Sequence, residues 1–213
     1  MSTAKGFVAW SSSSSPEIYD NSLQAWFKDM TNYDLSLMHF LFGAGAEMAN
    51  ELGIKTEAAH WNKLKSQLPD FDLDNEGSLT FAKGFPYNAS HRHFSHALAI
   101  HPLGIIDWSD GEKAQRIIRA TLKKMNDYGP DYWTGYTYSW FANMQARAFN
   151  GEEAAKALRN FCRMLLLEKY VTMPMVTSLP AGNRSSHIAL LRLRETLLLL
   201  QAYMKCYCRA IRE

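Results

Sequence analysis

Polar side chains crowd residues 90–96, where the sequence reads Ser-His-Arg-His-Phe-Ser-His and holds three of the chain's seven histidines. Arginine presents a planar fork of N–H donors, and a neutral histidine presents one donor and one acceptor. Neighbouring hydroxyl groups on a sugar ring require both kinds of partner. His91, Arg92 and His93 are therefore candidate ligand-binding residues, and the segment is a candidate pocket.

Two other interpretations of residues 90–96 are open from the residues alone. His91, His93 and His96 could ligate a metal in a metal-dependent hydrolase, but no cysteine or carboxylate cluster with ligand spacing accompanies them. The histidines could instead cap backbone carbonyl groups where a loop meets a helix. We predict that the chain binds no metal and needs no cofactor.

Glu17 is the second candidate, because it follows Pro16 and a run of five serines. A serine run alone is typical of a flexible, solvated segment. Aromatic residues flank this one, at Trp10, Tyr19 and Trp26. Burial among them would raise the pKa of the Glu17 carboxyl toward that of a general acid. The residues leave both interpretations open.

A third segment, residues 133–140, reads Trp-Thr-Gly-Tyr-Thr-Tyr-Ser-Trp. Spacing by three and four residues on a helix typically buries such side chains in a core. Gly135 between the aromatics indicates a loop whose backbone approaches another group closely. Because aromatic faces also stack on flat apolar surfaces such as sugar rings, Trp133 and Trp140 are candidates for either role.

The composition is that of one folded domain without a strong electrostatic bias. Of 213 residues, 47% are hydrophobic and 21% charged, and the formal net charge is +2, so we expect no nucleic-acid partner. No apolar run approaches the roughly 20 residues of a spanning helix, so we expect no membrane partner. Residues 1–7 lack a signal-peptide pattern, which indicates a cytoplasmic protein or a missing N-terminus. Phosphate-loop, zinc-protease and nucleophile-elbow motifs are absent from the sequence.

The elements that would position these residues are helices. Apolar residues recur at three- and four-residue spacing in residues 35–52, and Gly53 is placed to end that helix. Similar patterns predict four more helices, over residues 56–68, 112–128, 138–149 and 152–166, with a capping box at residues 109–112. No strand alternation of useful length is present. The pattern predicts an all-α fold of antiparallel helical hairpins.

Three motifs together carry a resemblance to a known family. They are Ser14-Ser15-Pro16-Glu17, the His91–His96 element with His101-Pro102, and residues 133–140 with Ala146-Arg147. In order and approximate spacing they resemble glycoside hydrolase family 95 over about residues 6–165. That family contains α-L-fucosidases and some α-L-galactosidases with an (α/α)6 barrel. The resemblance implies an incomplete (α/α)6 toroid at residues 1–165.

The resemblance also implies a mechanism and a partner. In an inverting glycosidase, one carboxylic acid protonates the glycosidic oxygen and a second carboxylate activates water on the opposite face. By motif, Glu17 matches the general acid, while Arg92 and His93 match a sugar-binding pair, and His91, Trp133 and Trp140 would complete the substrate site. The implied partner is a fucosylated oligosaccharide or a plant or host glycan. His101 departs from the family pattern and carries less weight.

The chain changes character near residue 165. Eight basic and three acidic residues give residues 161–213 a net charge of +5, whereas 15 basic and 18 acidic residues give the rest −3. The family's base-bearing segment and its EMLLQSH segment are absent from this frame, yet codons shifted by one base permit both. We interpret residues 166–213 as an out-of-frame tail after a frameshift between residues 161 and 173. The chain would then show little or no turnover.

An alternative keeps the tail as genuine protein. Residues 190–212 would then form an amphipathic helix rich in leucine and arginine, as in partner-binding helices. The function would be that of a non-enzymatic helical interaction module.

Overall fold

In a computed structural model of the chain, the described residues are 2–4, 7–9 and 12–166. The predicted out-of-frame tail, the alternative helix at 190–212 and the frameshift region beyond residue 166 lie outside them. The chain divides into two compact units, Met1–Gly129 and Pro130–Glu213. In the described ranges no helix is long and apolar enough to span a membrane.

The described residues are mainly helical, which confirms the all-α class. The first unit holds helices α1 (Asn32–Glu51), α2 (Lys55–Ser66) and α3 (Glu112–Tyr128). The second holds α4 (Gly135–Arg147) and α5 (Gly151–Leu166). Each lies within a few residues of its predicted range.

Helices α1 and α2 form a hairpin joined by three residues. Thr31 caps α1 by accepting a hydrogen bond from the Asp34 backbone N–H, and Gly53 adopts φ 73° just after the helix ends, as predicted. The two helices approach closely at Gly45, where a Cβ atom would lie 2.9 Å from Trp61 Cδ2. Their shared core consists of Met30, Leu35, Met38, Phe42 and Leu68, with Trp61, Leu64 and Phe71 packed against it.

Among the described residues, three short antiparallel strand pairs accompany the helices, and the sequence did not predict them. They are β1 (Ser2–Ala4) with β2 (Phe7–Ala9), β3 (Ser13–Ser14) with β4 (Trp26–Phe27), and β5 (Thr80–Ala82) with β6 (Phe85–Pro86). None exceeds three residues, so none is long enough to show alternation.

Two predicted local features are wrong. The capping box joins Asp107 and Asp110 around a short 3₁₀ turn, whereas Gly111 stands before α3 without a side-chain cap. Gly135 is the first residue of α4 and lies in no loop. The capping box lies two residues before the position that the sequence predicted, and Gly135 begins a helix where the sequence predicted a loop.

Candidate active site

Glu17 lies in the connection between strands β3 and β4. Ser14 pairs with Trp26, which brings the two ends of residues 15–25 together. Within this connection Glu17, Tyr19 and Asp20 have φ angles of 60°, 48° and 51°. The left-handed region is unfavourable for residues with a Cβ atom, so this backbone conformation requires support from neighbouring groups.

The serine run supplies part of that support. Ser13 and Ser15 are buried, at 2% and 0% exposure. Ser13 Oγ accepts from the Thr31 N–H at 2.9 Å and lies 2.5 Å from Asp34 Oδ2, to which it donates. The interpretation of this run as a flexible, solvated segment is therefore wrong for Ser13–Ser15, because the Ser13 hydroxyl and the Ser14 carbonyl bond to the start of α1 and Ser15 is fully buried.

Ser15 connects the Glu17 segment to the histidine-rich segment. Its hydroxyl lies 2.7 Å from that of Ser95, and both side chains are buried. A hydrogen bond between two buried hydroxyls satisfies groups that would otherwise be costly to remove from water. It joins residues that are 80 positions apart in the sequence.

The carboxylate of Glu17 receives two side-chain donors on one oxygen. Arg92 Nε lies 2.7 Å and His93 Nε2 lies 2.8 Å from Glu17 Oε2. Burial raises the pKa of the Glu17 carboxyl, but the hydrogen bonds from Arg92 and His93, together with the positive charge of each at the acidic pH where Glu17 titrates, outweigh it and hold the pKa below its usual range. The expectation of a raised pKa is wrong in this structure.

His93 is a neutral donor to this carboxylate near pH 7. Burial lowers its pKa and outweighs the attraction of the Glu17 carboxylate, which raises it. A carboxylate only accepts, so the His93 proton resides on Nε2. Near pH 7 Arg92 therefore supplies a positive charge beside the Glu17 carboxylate, and His93 adds directional bonding.

The ring of His91 contacts the backbone of Glu17 and of His93. Its Nε2 lies 3.2 Å from the Glu17 carbonyl oxygen, and its Nδ1 lies 3.1 Å from both the backbone nitrogen and the carbonyl oxygen of His93. The backbone N–H of His91 in turn donates to Tyr87 Oη at 3.1 Å. His91 therefore contacts backbone carbonyl groups, as in one of the interpretations that the sequence left open for residues 90–96.

His96 lies apart from these residues in an aromatic cage. Its ring stacks on Tyr87 at 4.9 Å and meets the Phe81 ring edge-on at 4.8 Å. The side chain is fully buried, and neither ring nitrogen has a partner among the described residues. Burial, with a smaller effect from His91, lowers its pKa to about 3.

The described part of the chain does not support the metal interpretation. Within it, no three His, Cys, Asp or Glu side chains are grouped so that they could hold a metal ion. The nitrogens of His91 face backbone groups, Nε2 of His93 faces the Glu17 carboxylate, and the ring of His96 lies in an aromatic cage.

A comparison with known families decides the relationship. The model of the glycosyl hydrolase family 95 catalytic domain matches residues 1–181, which is well over half of the chain. The chain belongs to glycosyl hydrolase family 95. The resemblance identified from the three motifs is thereby confirmed.

A curated relative of this family 95 chain is alpha-L-fucosidase 2 of Arabidopsis thaliana. The two are 29% identical over 126 residues, which are 57% of this chain and 14% of the relative. The chain thus spans only a small part of the length of the protein it matches.

The tryptophans assigned to the substrate site of this family 95 chain lie in the second unit. Trp133 and Trp140 are each 8% exposed. Trp133 packs against Tyr138 and Phe141, with ring centroids 5.2 and 4.8 Å away, while Trp140 packs against Tyr136. Ten of the 13 residues of α4 are buried, Trp140 among them, and Trp133 is buried just before the helix begins.

Sequence reasoning did not assign roles to Ser15, Ser95 or Tyr87 in this family 95 chain. Ser15 and Ser95 lie inside the recognised motifs, but a serine carries no signal that distinguishes a buried hydroxyl from a solvated one. Tyr87 lies four residues before His91, and a single tyrosine gives no indication of its partner. The motifs located the site, and the structure supplied its internal connections.

Proposed function

We propose that this chain carries the acid side of an α-L-fucosidase active site, with Glu17 as general acid and Arg92 and His93 as sugar-binding residues. The observation that supports this is the convergence of Arg92 and His93 on one oxygen of Glu17, at 2.7 and 2.8 Å. Residues 75 positions apart meet there as one carboxylate and two donors. Such a group can both donate a proton and bind hydroxyl groups.

The proposed reaction is inverting hydrolysis of a terminal α-L-fucoside. Glu17 would protonate the glycosidic oxygen while a second carboxylate activates water, about 6.5–9.5 Å away across the sugar. In the free chain, Arg92 and His93 favour the ionised form of Glu17, which cannot donate a proton. A bound sugar would draw these two donors to its hydroxyls, and the loss of their hydrogen bonds would raise the pKa of Glu17.

We propose an incomplete (α/α)6 toroid for residues 1–165, as the family resemblance implies. The helical hairpins and the burial of α4 on nearly all sides support it. So do the large apolar side chains of α1 and of the residue just after it, which are 38–74% exposed and suit contact with further helices. They are Leu37, Phe40, Leu41, Met48 and Leu52.

The proposed ligand-binding role is testable with an iminosugar. We expect 1-deoxyfuconojirimycin, an iminosugar of L-fuco configuration that is cationic near pH 7, to bind the chain more tightly than its gluco-configured counterpart does. Glu17→Gln removes the carboxylate charge and should weaken binding about tenfold, as expected for one lost charge-assisted hydrogen bond in a partly exposed site. Isothermal titration calorimetry measures the affinities of the wild-type chain and of Glu17→Gln for the two iminosugars.

The control for this test is Glu57→Gln, which removes an exposed carboxylate from α2 and should leave affinity unchanged. Equal binding of both iminosugars, or an undiminished affinity of Glu17→Gln, contradicts the proposal. Preference for an L-galacto-configured iminosugar, which carries one additional hydroxyl, would instead favour the α-L-galactosidases of the family.

We propose that turnover by this chain is slight, because its reading frame lacks the base-bearing segment that the family resemblance implies. Each general acid or base contributes about 10²–10⁴-fold to rate. Resequencing the DNA from upstream of Met1 to beyond Glu213 tests the frameshift. A one-base change in the codons of residues 161–173, with α-L-fucosidase activity in the restored product, is expected; an intact frame together with strong turnover contradicts the proposal.

A further inference from the structure

We propose that His91 is a positioning residue for Glu17, with its ring proton on Nε2, and that it is not a sugar ligand. The importance of Glu17 for sugar binding rests on the proposed function, but the contacts of His91 do not. The contacts of His91 are argued from the hydrogen-bond donors and acceptors that face its ring among the described residues.

The tautomer follows from the number of hydrogen bonds that each form makes. With the proton on Nε2, the ring donates to the Glu17 carbonyl oxygen at 3.2 Å, and Nδ1 accepts from the His93 backbone N–H at 3.1 Å. With the proton on Nδ1, the ring would donate to the His93 carbonyl oxygen, also 3.1 Å away, but the lone pair of Nε2 would face the Glu17 carbonyl oxygen. The first form makes two hydrogen bonds and the second makes one, so the geometry favours the proton on Nε2.

Both nitrogens of His91 are therefore used by the protein backbone. One holds Glu17 and the other holds His93, the two residues whose side chains meet at 2.8 Å. A sugar hydroxyl would have to displace one of these bonds. This occupancy argues against the assignment of His91 to the substrate site.

His91 contacts the connection between β3 and β4, whose left-handed residues need support from neighbouring groups. Glu17 has φ 60°, and Tyr19 and Asp20 are left-handed as well, so the connection would relax toward other conformations without external contacts. His91 is itself fixed, because its backbone N–H donates to Tyr87 Oη and its ring meets Phe81 edge-on at 6.2 Å. Tyr87 is only 1% exposed and anchors this arrangement in the core.

Two substitutions separate the two bonds of His91. His91→Gln places an amide N–H near the position of Nε2 and preserves the donor to Glu17. His91→Asn places an amide oxygen near the position of Nδ1 and preserves only the acceptor for His93. His91→Ala removes both, so the three variants form a matched series.

The readout is the titration of the Glu17 carboxyl by ¹³C NMR of the full chain, with the signal identified by its loss in Glu17→Gln. We expect the pKa of Glu17 to stay below its usual range in His91→Gln and to move toward that range in His91→Asn and His91→Ala. Affinity for 1-deoxyfuconojirimycin should fall about tenfold in the latter two and less than about threefold in His91→Gln. A purely structural or sugar-binding role would not separate glutamine from asparagine in the Glu17 titration.

The wild-type chain provides a test that requires no variant. ¹⁵N NMR of the histidine rings should show His91 protonated on Nε2 and unprotonated on Nδ1 at pH 7.5. The opposite tautomer, or equal behaviour of His91→Gln and His91→Ala in the Glu17 titration, overturns the inference. Weaker iminosugar binding in all three variants without a change in the Glu17 titration also overturns it and identifies His91 as a sugar ligand.

Failure of the proposed function gives a different result. Unchanged iminosugar binding in Glu17→Gln removes the role of Glu17 in ligand binding. The ¹⁵N tautomer and the Glu17 titration in the His91 series still decide whether His91 holds that segment.

Discussion

Replacing Asn32 with alanine is expected to lower the free energy of unfolding by about 4 kcal/mol, because removing one partner from a buried hydrogen bond costs about 1–3 kcal/mol for each group left behind. Asn32 is fully buried at the start of α1. Its amide donates to the carbonyls of Asp72 and Thr80, both at 2.8 Å, and its Oδ1 accepts from the Asp72 N–H at 3.0 Å. Alanine satisfies none of these three groups.

Urea unfolding at pH 7 measures this loss through the transition midpoint and slope. Asn50→Ala is the matched control, since Asn50 lies on the same helix but is exposed, and its effect should stay within about 0.5 kcal/mol. Similar losses in the two variants would show that the Asn32 network contributes little. The network matters for the site because it holds the start of α1, to which Ser13 also bonds.

Acid is expected to destabilise the chain through His96. Burial, with a smaller effect from His91, lowers the pKa of this histidine to about 3 from a model-peptide value of 6.5. Below pH 6.5 the unfolded chain binds a proton at this histidine, and the folded chain does not bind it until the pH falls to about 3. The contribution of His96 to the free energy of unfolding is therefore complete above pH 6.5 and decreases as the pH falls toward 3. At about 1.4 kcal/mol per pH unit, His96 alone removes about 3 kcal/mol between pH 7 and pH 4.

His96→Phe tests this expectation, because phenylalanine keeps a ring against Tyr87 and cannot be protonated. The free energy of unfolding should fall by about 3 kcal/mol less in the variant than in the wild type between pH 7 and pH 4. The remaining carboxylates and histidines contribute equally to both proteins, so the difference isolates position 96. Parallel pH profiles would mean that His96 takes up its proton at the same pH in the folded chain as in the unfolded chain.

The helices were predictable because their information is local. Apolar spacing placed α1, α2 and α3, and glycines at positions 53 and 129 marked two of their ends. The short strand pairs were not predictable, because strands of two or three residues show no alternation. The burial of Ser13 and Ser15 had no local signal either, since it depends on Thr31, Asp34 and Ser95.

The site was predictable as a set of motifs, and its internal chemistry was not. The grouping of Glu17 with Arg92 and His93 follows from motifs that the family resemblance put together. The direction of the Glu17 pKa shift depends on which donors reach its carboxylate, and composition near Glu17 indicated only burial. The tautomer of His91 likewise depends on a carbonyl 74 positions away.

The left-handed backbone at Glu17, Tyr19 and Asp20 has a consequence for protein engineering. Each such residue costs about 1–2 kcal/mol relative to a relaxed conformation, and glycine would remove most of that cost. A library selected only for resistance to heat should therefore accumulate glycine or asparagine at positions 19 and 20. A library selected for sugar capture should reject those same changes if the rigid path of the chain is what aims the carboxylate. In the connection between β3 and β4, thermal stability and sugar binding are therefore expected to favour different residues.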